Sequence, residues 1–172
     1  MTARQLLVPA VAMAAIVLLS NWLVQFPLNA WLTWGAFSYP VAYFVSDVCN
    51  RLHGPQAARR IAWVGFAAGL VSSAMLAPLR IAVASGTAFI VSQLLDVAIF
   101  NRLRKRTWWQ APLLGSCAAS IIDTAIFFSL AFAGTAISWL HLATGDLGIK
   151  LAMAFVLLPP YRMLINRVLP KG

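Results

Sequence analysis

Long apolar stretches separated by short polar segments run through the whole chain. An α-helix rises about 1.5 Å per residue, so roughly 20 apolar residues are needed to cross the hydrocarbon core of a bilayer. Six such stretches occur, at residues 6–26, 31–49, 61–79, 87–100, 112–133 and 147–164. We therefore predict an all-α membrane protein with six transmembrane helices, folded as a single transmembrane domain over residues 1–172.

Some boundaries of these stretches leave alternatives open. Pro40 lies inside the second stretch, where it either breaks the helix and frees backbone groups or only kinks it. Residues 80–84 either extend the fourth helix or lie at the membrane interface. We expect a loose loop at residues 134–145, and Pro159 and Pro160 are expected to interrupt the sixth helix.

The composition agrees with a lipid environment. Of the 172 residues, 62% are hydrophobic and 10% are charged, whereas a soluble domain has about 25% charged residues. The net charge of +9 would suggest nucleic-acid binding in a soluble protein. Here the basic residues cluster between apolar stretches, which is typical of cytoplasmic loops, so we expect a lipid-embedded protein with no nucleic-acid partner.

The positions of the basic residues predict the orientation. They cluster near the N-terminus, at residues 51–60, at residues 102–106 and near the C-terminus. Six spans with both termini in the cytoplasm place 11 of the 13 Lys and Arg residues on that side, from Arg4 to Lys171, and leave only Arg80 and Lys150 on the other. This arrangement follows the positive-inside rule.

Asp123 is the acidic residue that most needs an explanation. It lies roughly 16 Å along the fifth helix from Pro112, close to the middle of the bilayer. A carboxylate at that depth costs at least about 2.5–3.5 kcal/mol, so it must face the protein interior or a water-filled cavity. It serves either as a substrate or proton site, or as a protonated or hydrogen-bonded residue that holds helices together.

Two further acidic residues lie closer to the cytoplasmic ends of their helices. Asp47 shares a helical face with Asn50, and Asp96 shares one with Gln93, because each pair is three residues apart. Such pairs predict a polar-lined cavity. The alternative for Asp47 is a simple ion pair with Arg51, its neighbour one turn later. By contrast, Asp146 is expected at the N-terminus of the sixth helix, where a carboxylate complements the helix dipole.

Asp47 and Asp96 also stand in similar local sequences. Asn50-Arg51-Leu52 follows the first, and Asn101-Arg102-Leu103 follows the second after a gap that is two residues longer. The similarity is either an internal repeat, as transporter folds often have, or a coincidence.

Catalytic and cofactor motifs are absent. The chain has no phosphate-binding G-x-x-x-x-G-K-[ST] loop, no H-E-x-x-H and no G-x-S-x-G sequence. Cys49 and Cys117 have no metal-binding spacing and are expected to be buried thiols. We therefore expect no enzyme activity, no cofactor and no metal. Uphill transport by this chain would need an ion gradient, metabolic trapping or a partner subunit.

Three blocks of the sequence together resemble the signature of the queuosine precursor transporter family, also called the VUT family. They are residues 37–60 (FSYPVAYFVSDVCNRLHGP, then ARR), residues 92–101 (SQLLDVAIFN) and residues 120–128 (SIIDTAIFF). The chain departs from the family pattern at Tyr39-Pro40-Val41, where a Thr-rich stretch is expected, and at Cys49, where a small aliphatic residue is common.

The resemblance implies a multi-pass transporter in the bacterial inner membrane. Its substrate would be 7-cyano-7-deazaguanine or 7-aminomethyl-7-deazaguanine, taken up for tRNA modification. The fold would resemble the substrate-binding subunits of energy-coupling-factor vitamin transporters.

A guanine-like edge suits the polar residues already described. Its N–H and amino groups can donate to a carboxylate, its carbonyl needs a donor, and its ring stacks on an aromatic side chain. The candidate substrate-binding residues are Asp123, Asp96, Asp47, Gln93, Asn50, Asn101, Arg51 and Phe127.

Two other functions stay open at this stage. The chain is alternatively a substrate-binding subunit of a multicomponent ATP-driven transporter, or a membrane assembly subunit that transports nothing. The sequence also leaves open whether the protein is a monomer or a homodimer.

Overall fold

The protein is described by a computed structural model that covers residues 3–26, 28–29, 32–135 and 139–168, without the side chains of residues 3–5. Some sequence predictions lie outside these residues. They are the start of the second span at residue 31, the side chain of Arg4, and Lys171.

The described part of the chain is all-α. In chain order its helices are α1 (Ala3–Leu23), α2 (Gly35–Ser38), α3 (Pro40–His53), α4 (Pro55–Leu76), α5 (Leu79–Leu103), α6 (Gln110–Phe132), α7 (Trp139–Val156) and α8 (Leu158–Val168). They form six helical segments, because α2 continues into α3 and only Leu157 separates α7 from α8.

Four described segments are long and apolar enough to cross a membrane. They are Leu6–Leu23, Leu79–Leu103, Gln110–Phe132 and Trp139–Val168. The segment that contains α3 has four polar residues close together, Ser46, Asp47, Asn50 and Arg51. Helix α4 contains Arg59 and Arg60 near its start. These charges leave α4 an apolar part of about 16 residues, slightly below the usual length of a span.

The helix boundaries answer two of the open questions. Residues 80–84 belong to α5, which begins at Leu79. The expected loop over residues 134–145 is wrong in its second half, because α7 begins at Trp139. Polar side chains suggested a loop there. Within the helix, however, the Thr144 hydroxyl donates to the carbonyl of His141 at 2.9 Å. Such local bonding lets a polar residue lie in a helix.

The second segment is interrupted just before Pro40, although its backbone keeps helical angles there. Tyr39, between α2 and α3, keeps right-handed helical angles (φ −58°, ψ −43°), and its N–H donates to the carbonyl of Gly35 at 3.0 Å. Pro40 has no N–H group, so it cannot donate the next backbone hydrogen bond of the helix. The interruption therefore falls at Tyr39, whose side chain becomes important below.

Small residues allow the helices to approach closely. A Cβ atom added at Gly65 of α4 would lie 2.8 Å from both Met13 Cγ of α1 and Phe89 Cζ of α5. Met13 and Phe89 belong to the main buried apolar cluster, together with Val17 and Ile61. Small residues at such contacts are typical of helices that pack within a membrane.

Two basic residues connect the loops at one end of the bundle. Arg51 Nη1 donates to the carbonyl of Arg104 at 2.9 Å, and Arg104 Nη2 donates to the carbonyl of Arg51 at 2.6 Å. Arg51 Nε also donates to the Tyr161 hydroxyl on α8 at 3.0 Å, and the guanidinium lies 5.2 Å from the centre of the Phe100 ring. The α3–α4 turn, the α5–α6 turn and α8 therefore meet here, at what we call the basic end.

Candidate functional site

A cavity of about 180 Å³ lies toward the end of the bundle opposite the basic end. We call it the large cavity. Its walls come from α1, the turn after α1, α2, α4, α5, α6 and α7, and most of them are apolar or weakly polar. Asp123, Asp146, Lys150 and Tyr39 provide its ionisable lining. The sequence concentrates charge here in an otherwise apolar part of the molecule.

Lys150 of α7 makes two ion pairs at the wall of this cavity. Its Nζ lies 2.7 Å from Asp123 Oδ2 and 2.5 Å from Asp146 Oδ2. Lys150 and Asp123 are only 4% and 2% exposed. We call these three residues the Lys150 triad. With all three groups ionised, two negative charges surround one positive charge.

Neighbouring hydroxyl groups hold the two carboxylates in place. The Tyr39 and Ser92 hydroxyls donate to Asp123 Oδ1 at 3.1 and 3.3 Å, and the Thr124 hydroxyl donates to Asp146 Oδ2 at 3.0 Å. The Tyr39 ring also lies 5.1 Å from Lys150 Nζ, close enough for a cation–π contact. Tyr39 lies at the interruption between α2 and α3, immediately before Pro40.

A buried charge group of this kind is an unusual feature of a membrane domain. Removing charges from water is costly, and attraction between partners offsets the cost only with good geometry and further hydrogen bonds. Ionisable groups within membrane segments therefore usually mark substrate or ion pathways. The triad borders a cavity, which gives a polar ligand direct access to paired charges.

Phe127 adds an aromatic wall close to the acidic group. It lies one turn beyond Asp123 on α6 and lines the large cavity. Its ring centre lies 5.1 Å from that of Phe128 and 6.2 Å from that of Phe132. The cavity thus combines a charged wall, able to bind a polar edge, with an aromatic side chain on which a flat ring can stack.

Four of the sequence-predicted site residues form a separate group nearer the basic end. Asp47, Asn50, Gln93 and Asp96 are 2% exposed or less, and none of them lines the large cavity. Asn50 Nδ2 donates to the carbonyl of Val97 at 3.2 Å, which joins α3 to α5. We call these four residues the inner cluster.

Close packing against α6 completes the inner cluster. The Ser116 hydroxyl donates to Asp47 Oδ2 at 3.4 Å. A Cβ atom added at Gly115 would lie 2.6 Å from Asp96 Oδ1, so only a glycine leaves room for that carboxyl group. The predicted polar pairs on α3 and α5 therefore do face one another, but across a tight interface.

The remaining two sequence candidates lie elsewhere. Arg51 is engaged at the basic end, and within the described part of the chain Lys150 alone forms ion pairs with carboxylates. The alternative of an Asp47–Arg51 ion pair is therefore wrong. Asn101 is exposed on α5. Asn101 lies five residues after Asp96, whereas Asn50 lies three residues after Asp47. The two extra residues place Asn101 about 200° further around its helix.

Asp146 and Lys150 differ from their sequence interpretation. Asp146 is not a helix cap, because α7 begins seven residues earlier and the carboxylate binds Lys150 one turn later. Lys150, which the topology prediction only counted with Arg80 on the non-cytoplasmic side, is buried. The missed signal was the pair itself, an acid and a base four residues apart within an apolar segment.

Metal binding has no support in the described residues, where no three His, Cys or Asp side chains are grouped to hold an ion. Glu is absent from the chain.

An all-α bundle with apolar outer faces, a buried charge group and an internal cavity defines a multi-pass helical membrane protein. Comparison with known families gives the particular kind. A family described as "Putative vitamin uptake transporter" matches residues 33–78 and 72–164. The chain belongs to this family, which includes the queuosine precursor transporters.

Curated relatives agree with this assignment. The chain is 35% identical to the "Queuosine precursor transporter" of Escherichia coli strain K12, over 88% of this chain and 82% of that protein. It is 32% identical to the "Probable queuosine precursor transporter" of Haemophilus influenzae, over 91% of this chain and 84% of that protein. No solved structure matches the chain.

Proposed function

We propose that the protein imports a queuosine precursor, 7-cyano-7-deazaguanine or 7-aminomethyl-7-deazaguanine, across the bacterial inner membrane for tRNA modification. The observation that carries the proposal is the Lys150 triad, which presents two carboxylates and an ammonium group at the wall of a cavity beside Phe127. The names of the curated relatives support the same substrate class.

The proposal includes six transmembrane helices with both termini in the cytoplasm, in a fold like that of vitamin-transporter substrate-binding subunits. The 22-residue helix α4 is about 33 Å long, enough to cross the hydrocarbon core. The basic end, with Arg51 and Arg104, then faces the cytoplasm, in keeping with the positive-inside rule. In this orientation the large cavity lies toward the periplasm, on the side from which a substrate arrives.

The triad can bind the polar edge of a deazaguanine. The ring N–H and the amino group donate to a carboxylate, and the ring carbonyl accepts from Lys150. The Asp146 side chain is 19% exposed whereas that of Asp123 is 3% exposed, so Asp146 is the more accessible acceptor. Asp123 then positions Lys150, and Phe127 stacks on the ring.

This arrangement changes the predicted site only in part. Asp123 and Phe127 line the large cavity and stay in the proposed binding site, which gains Asp146, Lys150 and Tyr39. Asp47, Asn50, Gln93 and Asp96 lie deeper, outside the large cavity, and the proposed binding site does not include them. Arg51 and Asn101 have no proposed contact with it in this conformation.

Uptake by the purified protein in proteoliposomes tests the function. We expect the wild-type chain alone to take up a labelled deazaguanine, and Asp123→Asn and Asp146→Asn to abolish uptake while still inserting. Thr144→Ala, an exposed change on the same helix as Asp146, is the matched control and should transport normally. Full uptake by Asp123→Asn would contradict the proposed site.

Binding and energy supply are tested separately. A thermal-shift assay should show stabilisation by one or both deazaguanines and none by adenine. Uptake that appears only after an ATPase module is added would instead identify the chain as a subunit of a multicomponent transporter. An absence of both binding and uptake would favour a non-transporting membrane subunit.

A further inference from the structure

The carboxyl groups of Asp47 and Asp96 are neighbours between α3 and α5, because both lie against consecutive residues of α6. The Ser116 hydroxyl donates to Asp47 Oδ2 at 3.4 Å, and a Cβ atom added at Gly115 would lie 2.6 Å from Asp96 Oδ1. Asp47 and Asp96 are 2% and 0% exposed. Of their four oxygens, only Asp47 Oδ2 accepts a hydrogen bond from another side chain, that of Ser116. Two ionised carboxylates repel each other, and neither can donate a hydrogen bond to the other.

Among the described residues, no cation forms an ion pair with either of these carboxyl groups. Arg51, the nearest guanidinium on α3, bonds to Tyr161 and to the backbone of Arg104. Lys150 on α7 is held by its own two carboxylates. The α6 residues that line the neighbouring pocket, Pro112, Ser116 and Ser120, carry no charge, and α8 contributes the phenol of Tyr161.

Tyr43, a phenol on α3, is a further titratable group beside the pair and lines the same pocket as Asp47. Phenols are neutral near pH 7 and supply no positive charge. Keeping both carboxylates ionised in this dry interior would leave two uncompensated charges in contact. Because that state is so costly, a proton shared by the pair is the simplest way to balance it.

Unpartnered amide groups point to the same conclusion independently. Both amide atoms of Gln93 are fully buried without a hydrogen-bond partner, and so is Asn50 Oδ1. Gln93 lies on the same face of α5 as Asp96. Buried polar atoms are nearly always satisfied by protein, water or a ligand, so this interface is built to hold something small and polar.

A second, much smaller pocket lies beside Asp47. It is lined by Asp47, Ser116 and Ser120 on one side and by Lys150 on another, and its volume is about 10 Å³. That is room for about one water molecule. It suits a proton carried through water, but not a heterocycle or a hydrated metal ion.

We infer that the Asp47–Asp96 pair is a proton-binding site that couples substrate uptake to the proton gradient. One proton binds from the periplasmic side, and the same proton leaves to the cytoplasm as the substrate crosses. The coupling, though not the bound proton itself, rests on the import function proposed above.

Lys150 provides the physical link between the two sites, since it lines both the large cavity and the small pocket beside Asp47. A substrate whose N–H groups donate hydrogen bonds to Asp146 weakens the hold of that carboxylate on the ammonium group. Lys150 can then turn toward Asp47, where its positive charge favours the ionised pair and expels the proton.

The bound proton is tested without any transport. Infrared difference spectroscopy of the purified protein, between neutral and strongly alkaline buffer, should show the carbonyl stretch of a protonated carboxylic acid. The band should disappear in Asp47→Asn/Asp96→Asn and stay in Asp146→Asn. Absence of the band from the wild type, or its persistence in the double variant, would overturn the inference.

The coupling is tested by uptake driven by a pH gradient, with the vesicle interior alkaline. For one proton per substrate we expect accumulation to rise about tenfold per pH unit in the wild type. Asp96→Asn should still bind deazaguanine and exchange it between the two sides, but should not respond to the gradient.

Failures of the two proposals are distinguishable. If the wild type neither binds nor exchanges a deazaguanine, the proposed function fails, and the infrared band still decides the proton site. Should exchange be normal while accumulation ignores the pH gradient or follows a sodium gradient, proton coupling is wrong. An Asp96→Asn protein that accumulates substrate like the wild type would also overturn it.

Discussion

Lys150 Nζ lies 2.7 Å from Asp123 Oδ2, and this contact joins α7 to α6 near the middle of the molecule. The ammonium group is shared with Asp146, so one positive charge serves two carboxylates. The side chains of Lys150 and Asp123 are almost fully buried, and that of Asp146 is partly buried. The stability of the bundle and the charge at the wall of the large cavity therefore depend on the same side chain.

Lys150→Met should destabilise the protein strongly. The substitution leaves Asp123 and Asp146 without their cation, and removing one partner of a buried ion pair typically costs about 3–5 kcal/mol. We expect a lower unfolding temperature in detergent and no measurable binding of deazaguanine. Thermal unfolding followed by intrinsic tryptophan fluorescence measures the first effect.

A double variant separates charge from packing in this prediction. Asp123→Asn/Lys150→Met leaves fewer unpaired charges, so it should be more stable than Lys150→Met alone, and the two changes should not be additive. A Lys150→Met protein with wild-type stability would contradict the ion pairs described here.

Tyr39 contributes both a hydroxyl and a ring to the triad, and two substitutions distinguish them. Tyr39→Phe removes only the hydrogen bond to Asp123, which should weaken ligand binding by about 1 kcal/mol, or about fivefold. Tyr39→Leu also removes the ring below Lys150 and should weaken binding and stability further. Titration of thermal shifts measures both. Equal affinity in all three proteins would argue against a role for Tyr39.

Gly115→Ala should disturb the interface between α5 and α6. The new methyl group would lie 2.6 Å from Asp96 Oδ1 and 3.4 Å from the Asp96 carbonyl oxygen, so the helices must separate or the carboxyl group must move. Overpacking of this kind typically costs about 1–3 kcal/mol. We expect a lower unfolding temperature and an altered infrared band from the inner cluster.

Gly148→Ala is the matched control for this change. It lies inside α7 with no atom within 4 Å of the added Cβ. Replacing a helical glycine in open space should stabilise by up to about 1 kcal/mol. Opposite effects of the two alanines would support the close contact at Gly115, and equal effects would contradict it.

Arg51→Lys should loosen the basic end without changing the charge. A lysine cannot donate to Tyr161 and to the Arg104 carbonyl in the same fixed geometry, and it lacks the planar group that lies over Phe100. We expect a loss of about 1–3 kcal/mol, measured by unfolding in detergent. Arg102→Lys, on the exposed surface of the same end, is the control and should have little effect.

Much of the architecture follows directly from the sequence. The positions of the apolar stretches predict the six helical segments, because hydrophobic length is a strong physical constraint in a bilayer. The start of α7 was missed because polar residues such as His141 and Thr144 resemble a loop. Within α7 the Thr144 hydroxyl donates instead to the carbonyl of His141, a local bond that a single sequence does not show.

The candidate site was less predictable than the helices. The depth of Asp123 indicated a buried carboxylate, and the spacing of Asp47, Asn50, Gln93 and Asp96 indicated inward faces. Neither pattern shows which helices meet. Lys150 was therefore counted only as a basic residue on the non-cytoplasmic side, and two separate polar groups were expected to form one site.

Pro159 and Pro160 interrupt the last helical segment at Leu157, between its two anchoring side chains. Lys150 on α7 is held by the acidic residues at the cavity, while Tyr161 on α8 is held by Arg51. Pro159 and Pro160 lack the N–H groups that would continue the backbone hydrogen bonds of a single helix. The segment is therefore made of two helices that can change their relative angle at Leu157, with α7 attached to the acidic residues at the large cavity and α8 attached to the basic end.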